Sequence, residues 1–516
     1  MKLLKRMRML VIFLLLAGNG ESNALSWNGI PPRPNVIIFL ADDLGYGDLA
    51  SYGHPIIQTP NLDRFAKQGV RMTDMHSGAT VCSPSRASIL TGRNGYRSGY
   101  YNIAGFFGTT LQKEEFTVAK ALQDAGYETA FFGKWHLSRL EAKDEVNVNE
   151  MGFDYSFATS VNAFKTGPRN PTMFRRNNNP VGEVEGWYED IITKEAADWI
   201  SNIRNKEKPF FMIIATHGPH TPIDPPQKYS RLYEGKNTEV SAQNIHYGGV
   251  RRPDSDISKY RKEYYGTVTQ LDDTFGRFMK FLDDQKLNDN TMVVFTSDNG
   301  PEYPVTLEES GGEWEDPIRD KCFGTPGKLR GMKRFAYEGG HRVPGIVRWP
   351  GKIPAGTVSD KLFNGTDFLP TICNLAGAAI PQDRAIDGTD AFNAFLNKDY
   401  NRPIPALWFF LLDSDSHQLP GMAEMSMRKG DYVLIGKLSP DKEYFMQKHK
   451  KHKTLAVDWL KTAVPAKFEL YNIKKDVEQQ NDLAEQQYDT LMTLIPMMQA
   501  AWLDIRDEGP WWGRER

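Results

Sequence analysis

The pattern that most constrains this fold occurs four times: an apolar run of strand-like residues that ends in polar side chains. Continuous apolar runs of this kind are typical of strands that are buried on both faces of a sheet. The four runs are residues 36–40, 129–132, 210–215 and 292–296. The polar residues that follow them are Asp42 and Asp43, Lys134 and His136, His217 and His220, and Asp298 and Asn299.

Helical patterns separate these runs. They cover residues 61–69, 117–125, 188–204 and 263–287. This alternation predicts an α/β fold with a large, mostly parallel sheet that is covered by helices. In open sheets of this class, ligands bind beyond the carboxyl ends of the strands. We therefore expect the four polar clusters to meet in one site.

The pattern changes near residue 404. Short strand-like runs follow at 407–412, 424–428, 432–436 and 468–472, and a helical pattern covers 485–506. A turn at Lys429-Gly430-Asp431 predicts a hairpin. We expect a catalytic domain over 33–403 and a C-terminal subdomain over 404–516, consisting of a small antiparallel sheet with one helix.

The first 24 residues have the features of a signal peptide. Basic residues precede an apolar run at 9–17, which is too short to span a bilayer, and Ser22-Asn23-Ala24 is a small-residue cleavage site. We expect export to a periplasm or secretion, from a bacterial source, with no membrane attachment after cleavage. The net charge of −2 argues against a nucleic-acid partner.

The chain has three cysteines, Cys82, Cys322 and Cys373, which are too few for a disulfide scaffold. Cys322 and Cys373 could pair, or Cys373 could be a small buried apolar residue. Cys82 opens a helical pattern in which Ser83 is expected to cap and Gly92 to end the helix. It is either a buried structural cysteine or a group at the positive end of a helix dipole.

Asp42 and Asp43 cannot both remain ionised in a buried cleft without a cation. Taken alone, the pair could be a turn or cap, but Asp298 and Asn299 add two further oxygen ligands at a second strand end. Such a set suits Ca²⁺ or Mg²⁺ better than zinc. Lys333, in a glycine-rich stretch, is either an anion-binding residue or part of a solvated loop.

The stretch Cys82-Ser83-Pro84-Ser85-Arg86, together with Leu90-Thr91-Gly92-Arg93, resembles the signature of the type I sulfatases, which have an alkaline-phosphatase-like fold. Further matching motifs cover residues 41–45, 59–63, 133–136, 219–222, 297–300 and 337–340. The branch that the chain resembles contains arylsulfatases and N-acetylgalactosamine-6-sulfatases, including bacterial polysaccharide sulfatases. The resemblance implies that a maturation enzyme converts Cys82 to Cα-formylglycine (3-oxoalanine).

The resemblance also implies a role for each site residue. One Ca²⁺ would be bound by Asp42, Asp43, Asp298, Asn299 and the converted Cys82. Arg86 would hold the formylglycine hydrate, and Lys134 and Lys333 would bind the sulfate oxygens. His220 would protonate the leaving alcohol, and His136 would accept the proton that allows sulfate to be released. His217 is a second candidate for the acid.

The implied reaction is hydrolysis of a sulfate ester on a carbohydrate, either a polysaccharide or its oligosaccharides. Long loops at 165–179, 250–254 and 302–325 are expected to shape the substrate pocket, and their arginines either bind a second anionic group or are solvated. Two alternatives stay open at this point. One is a phosphodiesterase or phosphonate hydrolase of the same superfamily, and the other is a non-catalytic protein that binds sulfated glycans.

Overall fold

The computed structural model describes residues 33–105, 109–163, 167–234, 258–302, 324–411, 424–441 and 455–510. The expected signal peptide, the loop at 250–254, most of 302–325 and Cys322 lie outside these residues. The expected limits of the catalytic domain and the C-terminal subdomain stay predictions, because the chain from Pro34 onward groups as one unit.

Sixteen strands lie in the described residues. They are β1 Asn35–Asp42, β2 Val70–Met72, β3 Met75–His76, β4 Glu128–Lys134, β5 Tyr155–Thr159, β6 Arg175–Arg176, β7 Asn179–Pro180, β8 Phe210–Pro219, β9 Thr291–Ser297, β10 Gly345–Arg348, β11 Thr357–Ser359, β12 Phe363–Asn364, β13 Ala406–Phe409, β14 Glu424–Lys429, β15 Tyr432–Ser439 and β16 Val464–Asn472.

The same part of the chain contains eleven α-helices. They are α1 Pro60–Gln68, α2 Cys82–Thr91, α3 Val118–Asp124, α4 Tyr188–Asp198, α5 Gln227–Ser230, α6 Ser258–Asp284, α7 Glu338–His341, α8 Phe368–Ala376, α9 Phe392–Phe395, α10 Leu455–Leu460 and α11 Tyr488–Glu508. The helix expected over 188–204 is α4 followed by a π-helical turn at Trp199–Ile203. Among the described helices, none is long and apolar enough to cross a membrane.

Ten strands form the main sheet, in the order β11-β2-β10-β9-β1-β8-β4-β5-β6-β7. The four strands that end in polar residues are the adjacent set β9-β1-β8-β4, and they are parallel to one another. Antiparallel pairs occur only towards the two edges of the described sheet, around β10 and β6. The predicted α/β fold with a mostly parallel sheet is confirmed.

Strand β1 is the centre of the core because both of its faces are buried. Ile37 and Phe39 pack into the apolar cluster on one face, and Ile38 and Leu40 pack into the cluster on the other. Full burial of such a side chain contributes about 1.5–3 kcal/mol. This packing explains why the run is continuously apolar and why Asp42 is held at a defined position at its end.

The C-terminal part forms a four-stranded antiparallel sheet in the order β13-β14-β15-β16. Gly430, with φ of 58°, and Asp431 form the two-residue turn between β14 and β15. Helix α11 contributes Met498 and Trp502 to the apolar cluster of this sheet. The predicted small antiparallel sheet with a helix is confirmed, and the short helix α10, which was not expected, contributes Trp459 and Leu460 to the same cluster.

Candidate active site

The four polar strand ends lie side by side because β9, β1, β8 and β4 are neighbours in the sheet. Asp42 is the last residue of β1, and Lys134 is the last residue of β4. Asp298 follows β9, and His220 follows β8. All four residues are buried. The expectation that these side chains meet at one edge of the sheet agrees with this arrangement.

Helix α2 brings Cys82 and Arg86 to the same edge. The helix begins at Cys82, after Val81, so the expectation that Ser83 caps it is wrong. The Ser83 hydroxyl instead donates to the carbonyl oxygen of His136 at 2.7 Å and accepts from the N–H of Ala104 at 2.9 Å. Ser83 therefore joins the start of α2 to the segment after β4.

Arg86 lies one helical turn after Cys82 and is almost fully buried. Its Nε and Nη2 donate to Oδ2 of Asp298 at 2.9 and 2.7 Å. Its Nη1 donates to the carbonyl oxygen of Lys134 at 2.6 Å. The guanidinium thus links α2 to the ends of β9 and β4, which fixes the position of Cys82 relative to the sheet.

Each lysine of the site is paired with an aspartate, and Nζ of Lys333 also lies 3.2 Å from Oε2 of Glu302. Nζ of Lys134 is 2.5 Å from Oδ2 of Asp42, and Nζ of Lys333 is 2.8 Å from Oδ2 of Asp43. Nδ2 of Asn299 donates to Oδ1 of Asp43 at 2.7 Å. Both lysines are buried, so these are ion pairs within the protein interior.

Burial dominates the protonation of the carboxylates. It raises the pKa of Asp298 to about 7, and the neighbouring Asp42 charge adds to the rise. Burial also acts to raise the pKa of Asp42, but the Lys134 ammonium and other nearby cations hold that pKa well below its usual range. The cluster is therefore electrostatically strained as a set of protein groups alone.

The donor set fits a hard cation. Oδ1 of Asp42 and Oδ1 of Asn299 are buried acceptors without a hydrogen-bond partner among the residues that the structure describes. One ligand atom from each of Asp42, Asp43, Cys82 and His220 lies within 4.8 Å of the others. The two aspartate carboxylates at this spacing, together with the unpaired amide oxygen of Asn299, are suited to Ca²⁺ or Mg²⁺, which would also satisfy the two unpaired oxygens.

The end of β4 is bent rather than extended. Gly133 has φ of 101°, and a Cβ there would lie 1.9 Å from the carbonyl oxygen of Ala215 in β8, so only glycine fits. His136 has φ of 57°, so it does not share an extended face with Lys134. Its Nδ1 is buried and has no hydrogen-bond partner in the described part of the chain. Burial first, and then the Lys134 charge, hold the pKa of His136 well below its usual range.

The two histidines of β8 and its end differ in their hydrogen bonds. His220 Nδ1 lies 2.6 Å from the carbonyl oxygen of Thr221, and its Nε2 lies 3.6 Å from Oδ2 of Asp43. His217 Nε2 lies 2.9 Å from the carbonyl oxygen of Pro222, and its Nδ1 contacts another side chain. The Nε2 of His220 therefore faces the carboxylate cluster, whereas the Nε2 of His217 points to the backbone.

That other side chain is Asn162, a site residue that the sequence analysis missed. Asn162 is buried, and its Nδ2 lies 2.7 Å from Oδ2 of Asp42 and 3.1 Å from Nδ1 of His217. It follows β5, which pairs with β4, so the site includes a fifth strand end. The sequence offered one signal for Asn162, namely a polar residue shortly after a strand-like run. That run, residues 155–159, is apolar only in part.

The described arginines of the loop at 165–179 interact with neighbouring protein groups. Arg176 Nε donates to Oε1 of Glu195 at 2.6 Å. The guanidinium of Arg169 lies 5.3 Å from the ring centre of Trp187. These contacts favour a structural role for both arginines over recognition of a second anionic group.

Comparison with known proteins agrees with this geometry. The sulfatase family model matches residues 34–378, and a model described as N-sulphoglucosamine sulphohydrolase, C-terminal, matches residues 331–435. The N-acetylgalactosamine-6-sulfatase of Canis lupus familiaris is 32% identical over 423 residues, covering 77% of this chain and 71% of that protein. The N-acetylgalactosamine-6-O-sulfatase of Bacteroides thetaiotaomicron is 31% identical over 431 residues, covering 71% of this chain and 77% of that protein.

Among solved structures, Ps i-CgsB in complex with k-i-k-neocarrahexaose has a similar fold. It superimposes with a TM-score of 0.70 at 23% identity, covering 93% of this chain and 95% of that one. The family match covers well over half of the 516 residues and includes all four strand ends and Cys82. The chain therefore belongs to the sulfatase family and is a sulfuric ester hydrolase.

Proposed function

We propose that this sulfatase removes sulfate from a sulfated carbohydrate, a polysaccharide or its oligosaccharides, by means of a formylglycine made from Cys82 and one Ca²⁺. The observation that carries the proposal is the position of Cys82. It opens α2 within the buried cluster where Asp42 and Asn299 each have an acceptor oxygen without a partner.

The encoded thiol is poorly suited to catalysis. Burial raises the pKa of Cys82 to about 11, and the protonated thiol is a weak nucleophile. A formylglycine, hydrated at its aldehyde, offers one hydroxyl that can attack sulfur and a second whose deprotonation expels sulfate and regenerates the aldehyde. Conversion thus replaces a group that this environment keeps inert, and a dedicated maturation enzyme is the partner that conversion requires.

Asp42, Asp43, Asp298, Asn299 and the converted Cys82 are the residues that would hold Ca²⁺. The three aspartates here face three cationic side chains, Lys134, Lys333 and Arg86, and the neighbouring Glu302 is also paired with Arg334, so the charges of these protein groups cancel. A divalent cation would therefore leave the site positive. Its contribution would be to hold and polarise a sulfuryl oxygen of the anionic ester.

Lys134 ends β4 and Lys333 lies in the loop before α7, so their ammonium groups approach the cluster from two different segments. We assign them to the sulfate oxygens, where buried positive charge stabilises the charge that develops as the ester bond breaks. Arg86 holds the start of α2 in place through Asp298 and the Lys134 carbonyl, which orients residue 82 toward the same point.

The histidine contacts favour His220 as the acid. With Nδ1–H donated to the Thr221 carbonyl, its Nε2 is the nitrogen that can carry a proton to the leaving alcohol. Burial lowers the pKa of His220 to about 3, and a bound sulfate anion would favour its protonated form. His136 stays neutral and has an unpartnered Nδ1, as a proton acceptor needs.

The carbohydrate substrate is supported by the relatives, since both are sulfatases of N-acetylgalactosamine 6-sulfate by name, and the similar structure was solved with neocarrahexaose. Residues 1–24 would direct export, which the N-terminal sequence of the mature protein in a periplasmic or culture fraction would test.

The decisive experiment expresses the chain with and without a formylglycine-generating enzyme and measures the mass of the tryptic peptide 72–86. Conversion exchanges the sulfur and two hydrogens of Cys82 for one oxygen, and sulfate release should appear only in the converted sample. The Cys82→Ala variant should be inactive, whereas Cys373→Ala, at the second buried cysteine of the described residues, should keep its activity.

Substrate class is tested with oligosaccharides of carrageenan, ulvan, fucoidan and glycosaminoglycans, next to an aryl sulfate and a phosphate diester. Turnover of aryl sulfates alone would contradict the carbohydrate assignment, and a preference for the phosphate diester would indicate the phosphodiesterase alternative. Full activity of Cys82→Ala would contradict the mechanism.

A further inference from the structure

Asn162 and His217 form a short chain of hydrogen bonds that leads from the backbone to Asp42. Neither residue belongs to the ligand set or to the proton-transfer pair assigned above. Asn162 Nδ2 contacts both Oδ2 of Asp42 and Nδ1 of His217, and His217 Nε2 contacts the Pro222 carbonyl. All three side chains are buried, so each contact must satisfy donor and acceptor rules without help from bulk water.

These rules fix the orientation of every group in the chain. The carboxylate of Asp42 only accepts, so the Asn162 atom at 2.7 Å from it must be the NH₂ nitrogen. The same nitrogen then donates its second hydrogen to His217, whose Nδ1 must be a lone-pair acceptor. The proton of the neutral ring is consequently on Nε2, where it donates to the Pro222 carbonyl at 2.9 Å.

The chain determines which oxygen of Asp42 is available to a cation. Oδ2 of Asp42 accepts from Lys134 at 2.5 Å and from Asn162 at 2.7 Å. Oδ1 has no hydrogen-bond partner among the described residues, and it lies 3.7 Å from Nη2 of Arg86. Removing the Asn162 amide would take away one of the two hydrogen bonds to Oδ2 that the structure describes, so rotation of the carboxylate about its Cβ–Cγ bond would be less restrained.

We infer that Asn162, held in orientation by His217, is a positioning residue that directs Oδ1 of Asp42 toward the bound cation. This inference rests on the proposed Ca²⁺ site. It also gives His217 a role distinct from the acid role assigned to His220. Hydrogen-bonding partners of metal ligands commonly contribute about 10- to 100-fold to metal affinity, so the effect is measurable.

The test measures Ca²⁺ affinity rather than turnover. The full chain is produced without a maturation enzyme and stripped with EGTA, and its melting temperature is followed across a series of free Ca²⁺ concentrations. A ligand of the folded state stabilises it by RT ln(1 + c/Kd), where c is the free Ca²⁺ concentration, so the series gives the half-saturating concentration of each variant. Asn162→Ala should raise the half-saturating Ca²⁺ concentration about 10- to 100-fold. His217→Phe, which removes the Nδ1 acceptor, should also raise the half-saturating Ca²⁺ concentration.

Two further variants separate positioning from packing. His217→Asn places an amide oxygen where Nδ1 was and should keep a half-saturating concentration near that of the wild type. Asn35→Ala removes a buried asparagine at the opposite end of β1, so it should lower the melting temperature at every Ca²⁺ concentration without moving the half-saturation point. A double variant with Asn162→Ala and His217→Phe should have the same half-saturating Ca²⁺ concentration as Asn162→Ala alone, because His217 acts on Asp42 through Asn162.

An Asn162→Ala protein that binds Ca²⁺ as tightly as the wild type would overturn the inference while leaving the proposed cation site intact. A wild-type protein whose melting temperature does not respond to Ca²⁺ would refute the cation site, and the positioning role with it. The wild-type sample thus tests the cation site, and the Asn162→Ala sample tests the positioning role.

Discussion

Replacing Arg86 with methionine tests whether the start of α2 is held by charge or only by packing. Methionine fills much of the space of arginine but cannot donate hydrogen bonds. The substitution removes both hydrogen bonds to Asp298 and the one to the Lys134 carbonyl. It leaves the Asp298 carboxylate without its cation in a fully buried position.

The expected cost follows from burial. Breaking a buried ion pair by removal of one partner costs about 3–5 kcal/mol, because the remaining charge is uncompensated. Unfolding entropy of about 2.1 cal/mol/K per residue gives on the order of 1 kcal/mol/K for a chain of 516 residues. Arg86→Met should therefore lower the melting temperature by about 3–5 °C.

The assay is thermal unfolding in EGTA, with protein that carries the encoded Cys82, so that neither bound metal nor modification contributes. Asp298→Asn is measured alone and together with Arg86→Met. In the double variant the neutral amide needs no cation. Its loss of stability should therefore be smaller than the sum of the two single-variant losses by about 1–3 kcal/mol. Arg139→Met, at an exposed pair with Glu145, is the matched control and should leave the melting temperature unchanged.

Two results would refute this reasoning. One is a loss below about 1 °C for Arg86→Met, which would mean that the buried Asp298 charge does not depend on the guanidinium. The other is strict additivity of the two substitutions, which would mean that each acts through its own packing. Either result would leave Arg86 as a filler of space at the start of α2.

Three shorter predictions follow from other contacts. Burial lowers the pKa of His54 to about 3. Below about pH 6.5 the unfolded chain therefore binds a proton at His54 that the folded chain does not bind, so stability is lost as the pH falls. His54→Asn, which keeps an acceptor at the position of Nδ1, should flatten the plot of melting temperature against pH between about 5 and 6.5. Arg97→Met breaks contacts to Asp387 and to helix α11 and should lower the melting temperature by about 1–3 °C, and no change would mean that the network is not stabilising. His220→Ala should slow hydrolysis of sugar sulfates about 10²- to 10⁴-fold and that of aryl sulfates with acidic phenols much less, and equal losses would exclude the acid role.

Much of the fold could be predicted because its strands are buried on both faces. A run such as 36–40 must be apolar throughout to lie between the two packing layers, and this composition is legible in one sequence. The polar residue after such a run is equally legible, so Asp42 and Asp298 could be placed at the same edge of the sheet. The turn at Gly430 could be predicted for a similar local reason.

Contacts that depend on strand order could not be predicted in the same way. Asn162 reaches Asp42 only because β4 and β8 lie between β5 and β1 in the sheet, and no local pattern encodes that order. The role of Ser83 was misjudged for the same reason. Its preference for helix caps is local, whereas its actual partner, the His136 carbonyl, is brought to it by tertiary structure.

The backbone at two strand ends explains how adjacent residues can serve one site. In an extended strand, Asp42 and Asp43 would point to opposite faces. Asp43 instead has φ of 63°, a left-handed conformation that costs a non-glycine residue roughly 1–2 kcal/mol, and both carboxylates contribute to the same buried cluster. His136 has a similar conformation, with φ of 57°. Strain of this kind persists where the surrounding contacts enforce it, and here they include the lysine pairs and the Ser83 hydrogen bond. The extended backbone of the predicted strands is therefore broken at the two positions where the proposed chemistry needs residues that are close in sequence to converge.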